Sequence, residues 1–185
     1  MQLKIPVHVG GLSALSFHGV AHYLRLGREN LFLFSQTGVW VPKWFNEFDW
    51  GRGIRVVKTS FLPGELGIKT YQYQGAEIRY STVERAILEA LYLAPNEIDI
   101  MECYQIVQGL YNLRPNLVQT LLEECISIKV KRLFLFMADK AKLPVLKHLE
   151  LQKIDLGKGD RSIVDHGKYD SKYRLILPSE LIKDV

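Results

Sequence analysis

The sequence has few cysteines and no long apolar run, and both shortages restrict the class of protein. Cys103 and Cys125 are the two cysteines among 185 residues, and each lies in an apolar helical pattern. Small secreted scaffolds carry more cysteines at framework spacings, and a membrane-spanning helix needs about 18–20 apolar residues in a row. The start of the chain also lacks the apolar stretch of a signal peptide. We therefore expect reduced thiols in a cytoplasmic protein without a membrane-spanning segment.

The chain also lacks low-complexity runs and blocks of one charge, which argues against a disordered protein. Apolar residues make up 48% and charged residues 24%, the balance of a globular protein that can bury a core without a cofactor. Residues 75–125 carry three basic and eight acidic side chains, whereas residues 126–174 carry twelve basic and six acidic ones. This uneven pattern is compatible with an anionic partner, and solvated faces of differing sign are the alternative.

Hydrophobic periodicity divides the chain into three parts and predicts an α+β fold. Residues 1–80 form a mixed α/β subdomain with a small sheet, residues 81–150 form a helical group, and residues 151–185 form a closing β-hairpin and tail. We expect the three parts to make one compact unit. The predicted strands are Ile5–Val9, Leu31–Phe34, Ile54–Thr59, Lys69–Tyr73, Glu77–Tyr80, Ile163-Val164 and Arg174–Leu177, with a hairpin turn at Gln74-Gly75-Ala76 and a loop over 165–172.

Apolar spacing and capping residues predict the helices. They are expected over 12–25, after Ser81, from Asn96 to about Gly109, from Pro115, and over about 128–141. Ser81 and Glu84 form a capping box for the first helix of the helical group, and Asn96 is the expected N-cap of the next one. Gly19, inside the first predicted helix, is expected to allow close packing against a neighbour.

Two histidines at helical spacing are the best candidates for a metal site. His18 and His22 lie four residues apart and would share one helix face, with His8 as the third ligand of a zinc ion. The metalloprotease pattern requires glutamate after the first histidine, and Gly19 stands there. Histidines that form structural hydrogen bonds are the favoured alternative, so we predict no metal and no cofactor.

Patterns for phosphate binding and for hydrolysis are incomplete. Gly157-Lys158-Gly159 lacks the spacing and the following hydroxyl of a phosphate-binding loop, and a turn that exposes the lysine is the simpler interpretation. His166, Asp170 and Ser171 are the residue types of a catalytic triad, but one short polar loop cannot easily hold them in catalytic geometry. The sequence contains no Gly-x-Ser-x-Gly motif. We therefore predict no catalytic residues and a protein that is not an enzyme.

Aromatic residues are concentrated in the segment 40–50, where one helical turn is expected after Pro42. They are Trp40, Trp44, Phe45, Phe48 and Trp50. These rings could stack on unpaired bases while Lys43, Arg52 and Arg55 contact phosphates. They could instead belong to the core, which is the favoured interpretation, or anchor a protein partner.

A basic set in the last third of the chain is the candidate nucleic-acid or partner-binding site. Its members are Lys129, Lys131, Arg132, Lys158, Arg161, Lys168, Lys172 and Arg174. The residues from Lys158 to Arg174 fall on one hairpin and its loops, where they could form one surface. Such a surface favours phosphate contacts, which are sensitive to salt and independent of sequence. A solvated rim is the alternative.

Several stretches taken together resemble the AbiEi family, the antitoxins of abortive-infection type IV toxin–antitoxin systems. They are Pro6-Val-His-Val-Gly-Gly-Leu-Ser-Ala-Leu15 with His18-Gly-Val-Ala-His-Tyr-Leu24, Ser81-Thr-Val-Glu-Arg-Ala-Ile-Leu-Glu89, Leu113-Arg-Pro-Asn-Leu117, Lys129-Val-Lys-Arg-Leu-Phe-Leu135, Lys153-Ile-Asp-Leu-Gly-Lys-Gly159 and Gly167-Lys-Tyr-Asp-Ser-Lys-Tyr173. The similar stretches span about residues 5–178. Their order and coverage, more than any single motif, carry the resemblance.

The resemblance implies a bacterial, cytoplasmic protein of phage defence whose functional partner is a nucleotidyltransferase toxin, neutralised without a stable complex. Family members join an N-terminal winged helix, which binds the operon promoter, to a C-terminal domain needed for antitoxin action. Because the winged helix precedes the stretch that starts here at Pro6, we expect this chain to be the C-terminal domain alone. The resulting hypothesis is a non-catalytic antitoxin or regulator domain. The alternative is a nucleic-acid-binding module that uses the basic hairpin and the aromatic segment.

Overall fold

The computed structural model describes residues 6–20 and 30–182, which fold into two sheets and a group of helices. The strands are β1 (His8–Val9), β2 (Leu31–Ser35), β3 (Ile54–Lys58), β4 (Ile68–Tyr73), β5 (Ala76–Ser81), β6 (Arg161–Ser162), β7 (Lys168–Asp170) and β8 (Leu175–Leu177). The helices are α1 (Gly11–Phe17), α2 (Lys43–Glu47), α3 (Val83–Leu93), α4 (Ile100–Gln108), α5 (Pro115–Glu124), α6 (Ile128–Lys140) and α7 (Ser179–Ile182). The predicted α+β architecture is confirmed.

The first five strands form one mixed sheet in the order β3-β2-β1-β5-β4. β1 is antiparallel to β2 and parallel to β5, while β2 and β3 are parallel. β4 and β5 form the predicted hairpin, with Tyr73 paired to Ala76. Its two turn residues, Gln74 and Gly75, have φ values of 47° and 77°, as a type I′ turn requires. The turn is therefore one residue shorter than the predicted Gln74-Gly75-Ala76.

The first helix ends at Phe17, earlier than predicted, because a glycine motif closes it. Gly19 has a φ of 70°, and the N–H of Val20 donates to the carbonyl of Leu15 at 3.0 Å. This is the Schellman arrangement that commonly ends helices. A Cβ atom at Gly19 would meet nothing within 4 Å, so the predicted close packing at this glycine is wrong. The second half of the predicted helix falls in residues 21–29, outside the described residues.

Two helix starts differ from the prediction, the first because a long-range contact uses the expected cap. The N-cap of α3 is Thr82 instead of Ser81, whose hydroxyl donates to the buried carboxylate of Glu89 at 2.7 Å. The N-cap of α4 is Asp99 instead of Asn96, and its carboxylate accepts two backbone N–H groups of the first turn at 2.8 and 3.0 Å. The predicted capping box is therefore wrong.

The core is organised around α3, which contacts α1, α4, α5 and α6. Its apolar residues Ile87 and Leu91 are completely buried, as the helical spacing predicts. One continuous set of buried apolar side chains extends from Leu12 to Leu181. This set includes residues of both sheets and of the helical group, so all of them depend on the same core. Burying each large aliphatic side chain contributes about 1.5–3 kcal/mol relative to leaving it exposed.

A buried carboxylate joins α3 to the start of the chain. Glu89 Oε1 lies 2.8 Å from Nε2 of His8 and accepts from Nε of Arg85 at 2.7 Å. Glu89 Oε2 accepts from the hydroxyl of Ser81 at 2.7 Å and from the backbone N–H of Gly11 at 3.0 Å. The carboxylate thus connects β1, the start of α1 and the end of β5, and its partners satisfy both oxygens.

A second ion pair fixes the start of α5. The backbone N–H and the Nε of Arg114 both donate to Oε1 of Glu84 at 3.0 Å, and Nη2 donates to Oε2 at 2.9 Å. Burial alone would raise the pKa of Glu84, but the hydrogen bonds from Arg114 outweigh it and lower the pKa to about 2. Both glutamates of α3 therefore hold distant segments against the helix.

The C-terminal sheet has three strands in the order β6-β8-β7, with β6 parallel and β7 antiparallel to β8. The predicted strand Ile163-Val164 is replaced by β6 two residues earlier. The predicted loop over 165–172 contains β7. β7 is polar and exposed along most of its length, and it lacks the apolar alternation that identifies a half-buried strand.

Among residues 6–20 and 30–182, no helix has both the length and the apolar character needed to cross a bilayer.

Candidate nucleic-acid and partner interface

A buried arginine of α6 holds the loop that precedes β6. Arg132 is only 2% exposed. Its Nε donates to the carbonyl of Leu156 at 2.8 Å, its Nη2 to Gly157 at 3.1 Å, and its Nη1 to Gly159 and Arg174 at 2.7 and 3.2 Å. Four carbonyls therefore surround one guanidinium, which fixes the loop relative to the start of β8.

Two exposed arginines next to this loop contact Asp160, one at its carboxylate and the other at its backbone carbonyl. Arg174 Nε donates to Oδ1 of Asp160 at 2.8 Å, the hydroxyl of Tyr169 donates to the same oxygen at 3.1 Å, and Arg161 Nη1 donates to the backbone carbonyl of Asp160 at 3.0 Å. These hydrogen bonds, first from Arg174 and then from Tyr169, lower the pKa of Asp160. We call Asp160, Arg161, Tyr169 and Arg174 the Asp160 cluster.

The charges of the Asp160 cluster also act on the buried Arg132 beneath it. The pKa of Arg132 is lowered, first by burial and then by repulsion from Arg161 and Arg174. Like charges held this close favour an additional anion, because phosphate oxygens could share the arginine donors with Asp160. The arrangement is suited to phosphate contact.

Five of the eight predicted site residues are exposed, and the structure distributes them over different places. They are Lys158, Arg161, Lys168, Lys172 and Arg174. Lys158 lies in the loop held by Arg132, next to the Asp160 cluster. Lys172 instead donates to Asp139 of α6 at 2.7 Å. Lys168 pairs with Leu177 while its neighbour Tyr169 pairs with Ile176, so the two side chains leave β7 on opposite faces.

The other three predicted site residues lie on α6 and do not join this surface. Lys131 and Arg132 are buried. Lys129 is half-buried, and its ammonium donates to the carbonyls of Tyr92 and Ala94 at 2.8 and 2.7 Å; burial lowers its pKa. These three members of the predicted basic set are withdrawn from the surface because α3 covers one side of α6 and the C-terminal loop covers the other.

The aromatic segment forms an exposed cluster of its own. Trp40 is 70% exposed, and Trp44, Phe48 and Trp50 are also exposed. Trp50 is the centre of the cluster, with ring centroids 4.7 Å from Phe48 and 5.2 Å from Phe45, and its Nε1 donates to the carbonyl of Phe45 at 2.9 Å. The favoured assignment of these rings to the core is therefore wrong. Exposed aromatic clusters of this kind mark interaction surfaces.

Of the basic neighbours of the aromatic segment, Arg55 forms an ion pair with Glu97, whereas Lys43 and Arg52 are exposed. The expected helical turn after Pro42 is present as α2. The segment thus presents rings and cations together, and this favours either base stacking or anchoring of a protein partner.

Two of the three candidate histidine ligands, His8 and His18, have structural partners. His8 contacts Glu89, and Nε2 of His18 lies 2.9 Å from the carbonyl of Ser81. His22 lies outside the described residues. Within residues 6–20 and 30–182, no three His, Cys, Asp or Glu side chains gather as a metal ion would require.

The phosphate-loop pattern falls in a turn, and the triad pattern spans the turns on both sides of β7 and its last residue. Gly157 and Gly159 have φ values of 64° and 75°, so Lys158 stands in a turn that glycines permit. Asp170 accepts the backbone N–H of Tyr173 at 2.7 Å, which fixes the turn between β7 and β8. The glycines of the first pattern and Asp170 of the second therefore shape the backbone.

Asp160 and Tyr169 were not identified as site residues from the sequence. A carboxylate next to a glycine indicates a turn, and a tyrosine between Lys168 and Asp170 has no distinctive pattern. Their contribution depends on the pairing of β6, β7 and β8, which brings residues nine positions apart into hydrogen-bond contact.

Comparison with known proteins gives a family and a fold. Residues 28–178 match the model of a family described as transcriptional regulator, AbiEi antitoxin, type IV TA system. No curated protein has a significantly similar sequence. The crystal structure of the RV2827C protein from Mycobacterium tuberculosis is similar with a TM-score of 0.66 at 10% sequence identity, a level that shows the fold alone. The similarity covers 93% of this chain and 62% of that chain, so this chain spans less than two thirds of its length.

Proposed function

This chain belongs to the AbiEi family of antitoxins and transcriptional regulators of type IV toxin–antitoxin systems, and from that premise we propose that it counteracts a nucleotidyltransferase toxin in the bacterial cytoplasm. The observation that carries the proposal is the family match over residues 28–178. That range contains α2 to α6 and every strand except β1. It therefore includes the aromatic segment and the Asp160 cluster.

The mode of action that we propose is binding without catalysis and without a stable complex with the toxin. Two exposed features favour binding: the Asp160 cluster, which offers arginine donors on a rigid loop, and the aromatic cluster centred on Trp50. Aromatic and arginine side chains are the residues that most often dominate the energetics of interfaces.

The first test is the rescue of growth. Co-expression with a nucleotidyltransferase toxin, to be sought among the genes adjacent to that of this chain, should restore growth that the toxin arrests. Size-exclusion chromatography of the two purified proteins should show separate peaks, because no lasting complex is expected. Absence of rescue at equal expression of folded protein, including when a winged helix is fused to the chain, would refute the antitoxin proposal.

Nucleic-acid binding is the second candidate function, and the Asp160 cluster favours it. Replacing Arg161 and Arg174 by glutamate should weaken binding to a labelled single-stranded oligonucleotide. It should also reduce the slope of log K against log salt by about one for each lost phosphate contact. Asp160→Asn should strengthen binding, since it removes the carboxylate that competes with phosphate. Fluorescence anisotropy over a salt series measures both effects.

Matched charge reversals on other elements provide the control. Lys69→Glu combined with Lys147→Glu changes the net charge equally at exposed positions of β4 and of the 3₁₀ turn Pro144–His148. Lys168→Glu reverses a charge on the opposite face of β7. An equal loss of affinity in these variants, or binding that does not weaken as salt rises, would contradict a specific role for the Asp160 cluster.

A further inference from the structure

β3 is one of the two edge strands of the five-stranded sheet, and among the described residues no strand pairs with its outer side. β3 pairs with β2 on one side. The carbonyl of Gly53 accepts from Leu31, and the N–H of Thr59 donates to Ser35, both across this pair. Because backbone groups of a parallel strand alternate in direction, residues 54, 56 and 58 direct their N–H and C=O groups away from β2.

The outward edge of β3 borders an open cleft of 840 Å³. β3 forms one wall of the cleft, and the last turn of α3 together with Asn96, Glu97 and Lys129 forms the other. Free strand edges are templates for pairing with another chain, and a cleft beside the edge leaves room for an added strand. The backbone of β3 therefore offers hydrogen bonds that an extended segment could complete.

The charges along the cleft indicate which kind of extended segment could bind there. Three of the residues that line it are basic, Arg55, Lys58 and Lys129, and one is acidic, Glu97. Glu97 is already neutralised, because Arg55 donates to both of its oxygens at 2.6 and 2.9 Å. The ammonium of Lys129 uses two of its three protons on backbone carbonyls. The cleft thus keeps an excess of positive charge next to an open strand edge.

We propose that this cleft binds an extended acidic peptide segment of a protein partner, which adds as a strand to the outer edge of β3. Main-chain hydrogen bonds to residues 54, 56 and 58 supply affinity, and carboxylates on one face of the peptide contact Lys58. This is strand addition, in which the backbone gives affinity and alternate side chains give specificity. The site is separate in the sequence from the Asp160 cluster and from the aromatic segment.

The probe is a fluorescein-labelled peptide of alternating aspartate and valine, titrated into the full chain. Saturable binding is expected, and Lys58→Glu should weaken it by about tenfold or more, since like charges then face each other. Lys69→Glu, the same change on the opposite edge strand β4, should leave binding unchanged. On peptide binding, amide hydrogen exchange at Val56 and Lys58 should slow.

Two further comparisons separate strand addition from simple charge attraction. A peptide methylated at alternate backbone nitrogens keeps every carboxylate but loses the donors, so it should bind at least about tenfold more weakly. Val56→Pro removes an outward N–H at an edge position where proline is tolerated, and it should reduce binding while the circular dichroism stays native. Equal binding of the methylated peptide, no effect of Lys58→Glu, no saturable binding, or tighter binding at this cleft of an oligonucleotide of the same charge would each overturn the proposal.

Discussion

Replacement of Glu89 by alanine should lower the free energy of unfolding by about 3–5 kcal/mol, the cost of leaving a buried charge without its partner. The side chain of Glu89 is completely buried, and that of Arg85 is 3% exposed. Alanine would remove the acceptor for Arg85, His8, Ser81 and the backbone N–H of Gly11 at once. Urea unfolding followed by circular dichroism measures the loss.

The pH dependence of stability gives an independent check on Glu89. Burial alone would raise its pKa, but the hydrogen bond and charge of His8 and the charge of Arg85 lower it below the ordinary 4.5. A carboxyl with a lowered folded-state pKa stabilises the protein above its unfolded pKa, and this contribution is lost as the pH falls through the folded value. The wild-type protein should therefore lose more stability than Glu89→Gln below about pH 4.5.

The control for Glu89 is the exposed Glu124 of α5. Alanine there should change the free energy of unfolding by no more than about 0.5 kcal/mol. A loss in Glu89→Ala no greater than that of the Glu124 variant would show that the buried cluster does not hold β1 against α3.

Replacement of Arg132 by methionine should cost about 3 kcal/mol and disorder the loop over 156–160. Hydrogen bonds to charged groups contribute about 1.5–3 kcal/mol each, and the removal of this arginine leaves four carbonyls without their donor. Methionine fills a similar volume, so loss of packing adds little. Urea unfolding measures the first effect, and hydrogen-exchange mass spectrometry of the loop measures the second.

Arg132→Lys separates charge from geometry. Lysine keeps the charge but lacks the planar fork that reaches carbonyls on several sides, so it should recover only part of the stability. Faster exchange should appear in residues 156–160 and not in α4. If the loop exchanges at the wild-type rate in Arg132→Met, the carbonyls around Arg132 do not determine the conformation on which the Asp160 cluster stands.

The helical group could be predicted from sequence because its signal is local. Apolar residues at helical spacing identified α3, α5 and α6, and Pro115 marked the start of α5. The cap of α3 could not be predicted, since intrinsic cap preference favours Ser81 over Thr82 and the hydroxyl of Ser81 instead donates to Glu89, eight residues away.

The candidate site was less predictable because burial depends on neighbours distant in sequence. The charged residues of α6 look like an exposed face, yet Arg132 is buried by carbonyls more than twenty residues further along the chain. Spacing also indicated neither that Asp160 lies between Arg174 and Tyr169 nor that Lys168 is on the other face of β7. The partners of a charge are a property of the tertiary structure.

The short central strand β1 has a consequence for the order in which the protein folds during translation. β1 has only two residues, and it pairs Val9 with Tyr80, while His8 contacts Glu89. These partners are synthesised long after β1, so the nascent chain cannot complete its first sheet until α3 has left the ribosome. Closure over such sequence separations is slow. The first half of the chain should therefore wait as an incomplete sheet, with the apolar residues of β2 exposed in the meantime.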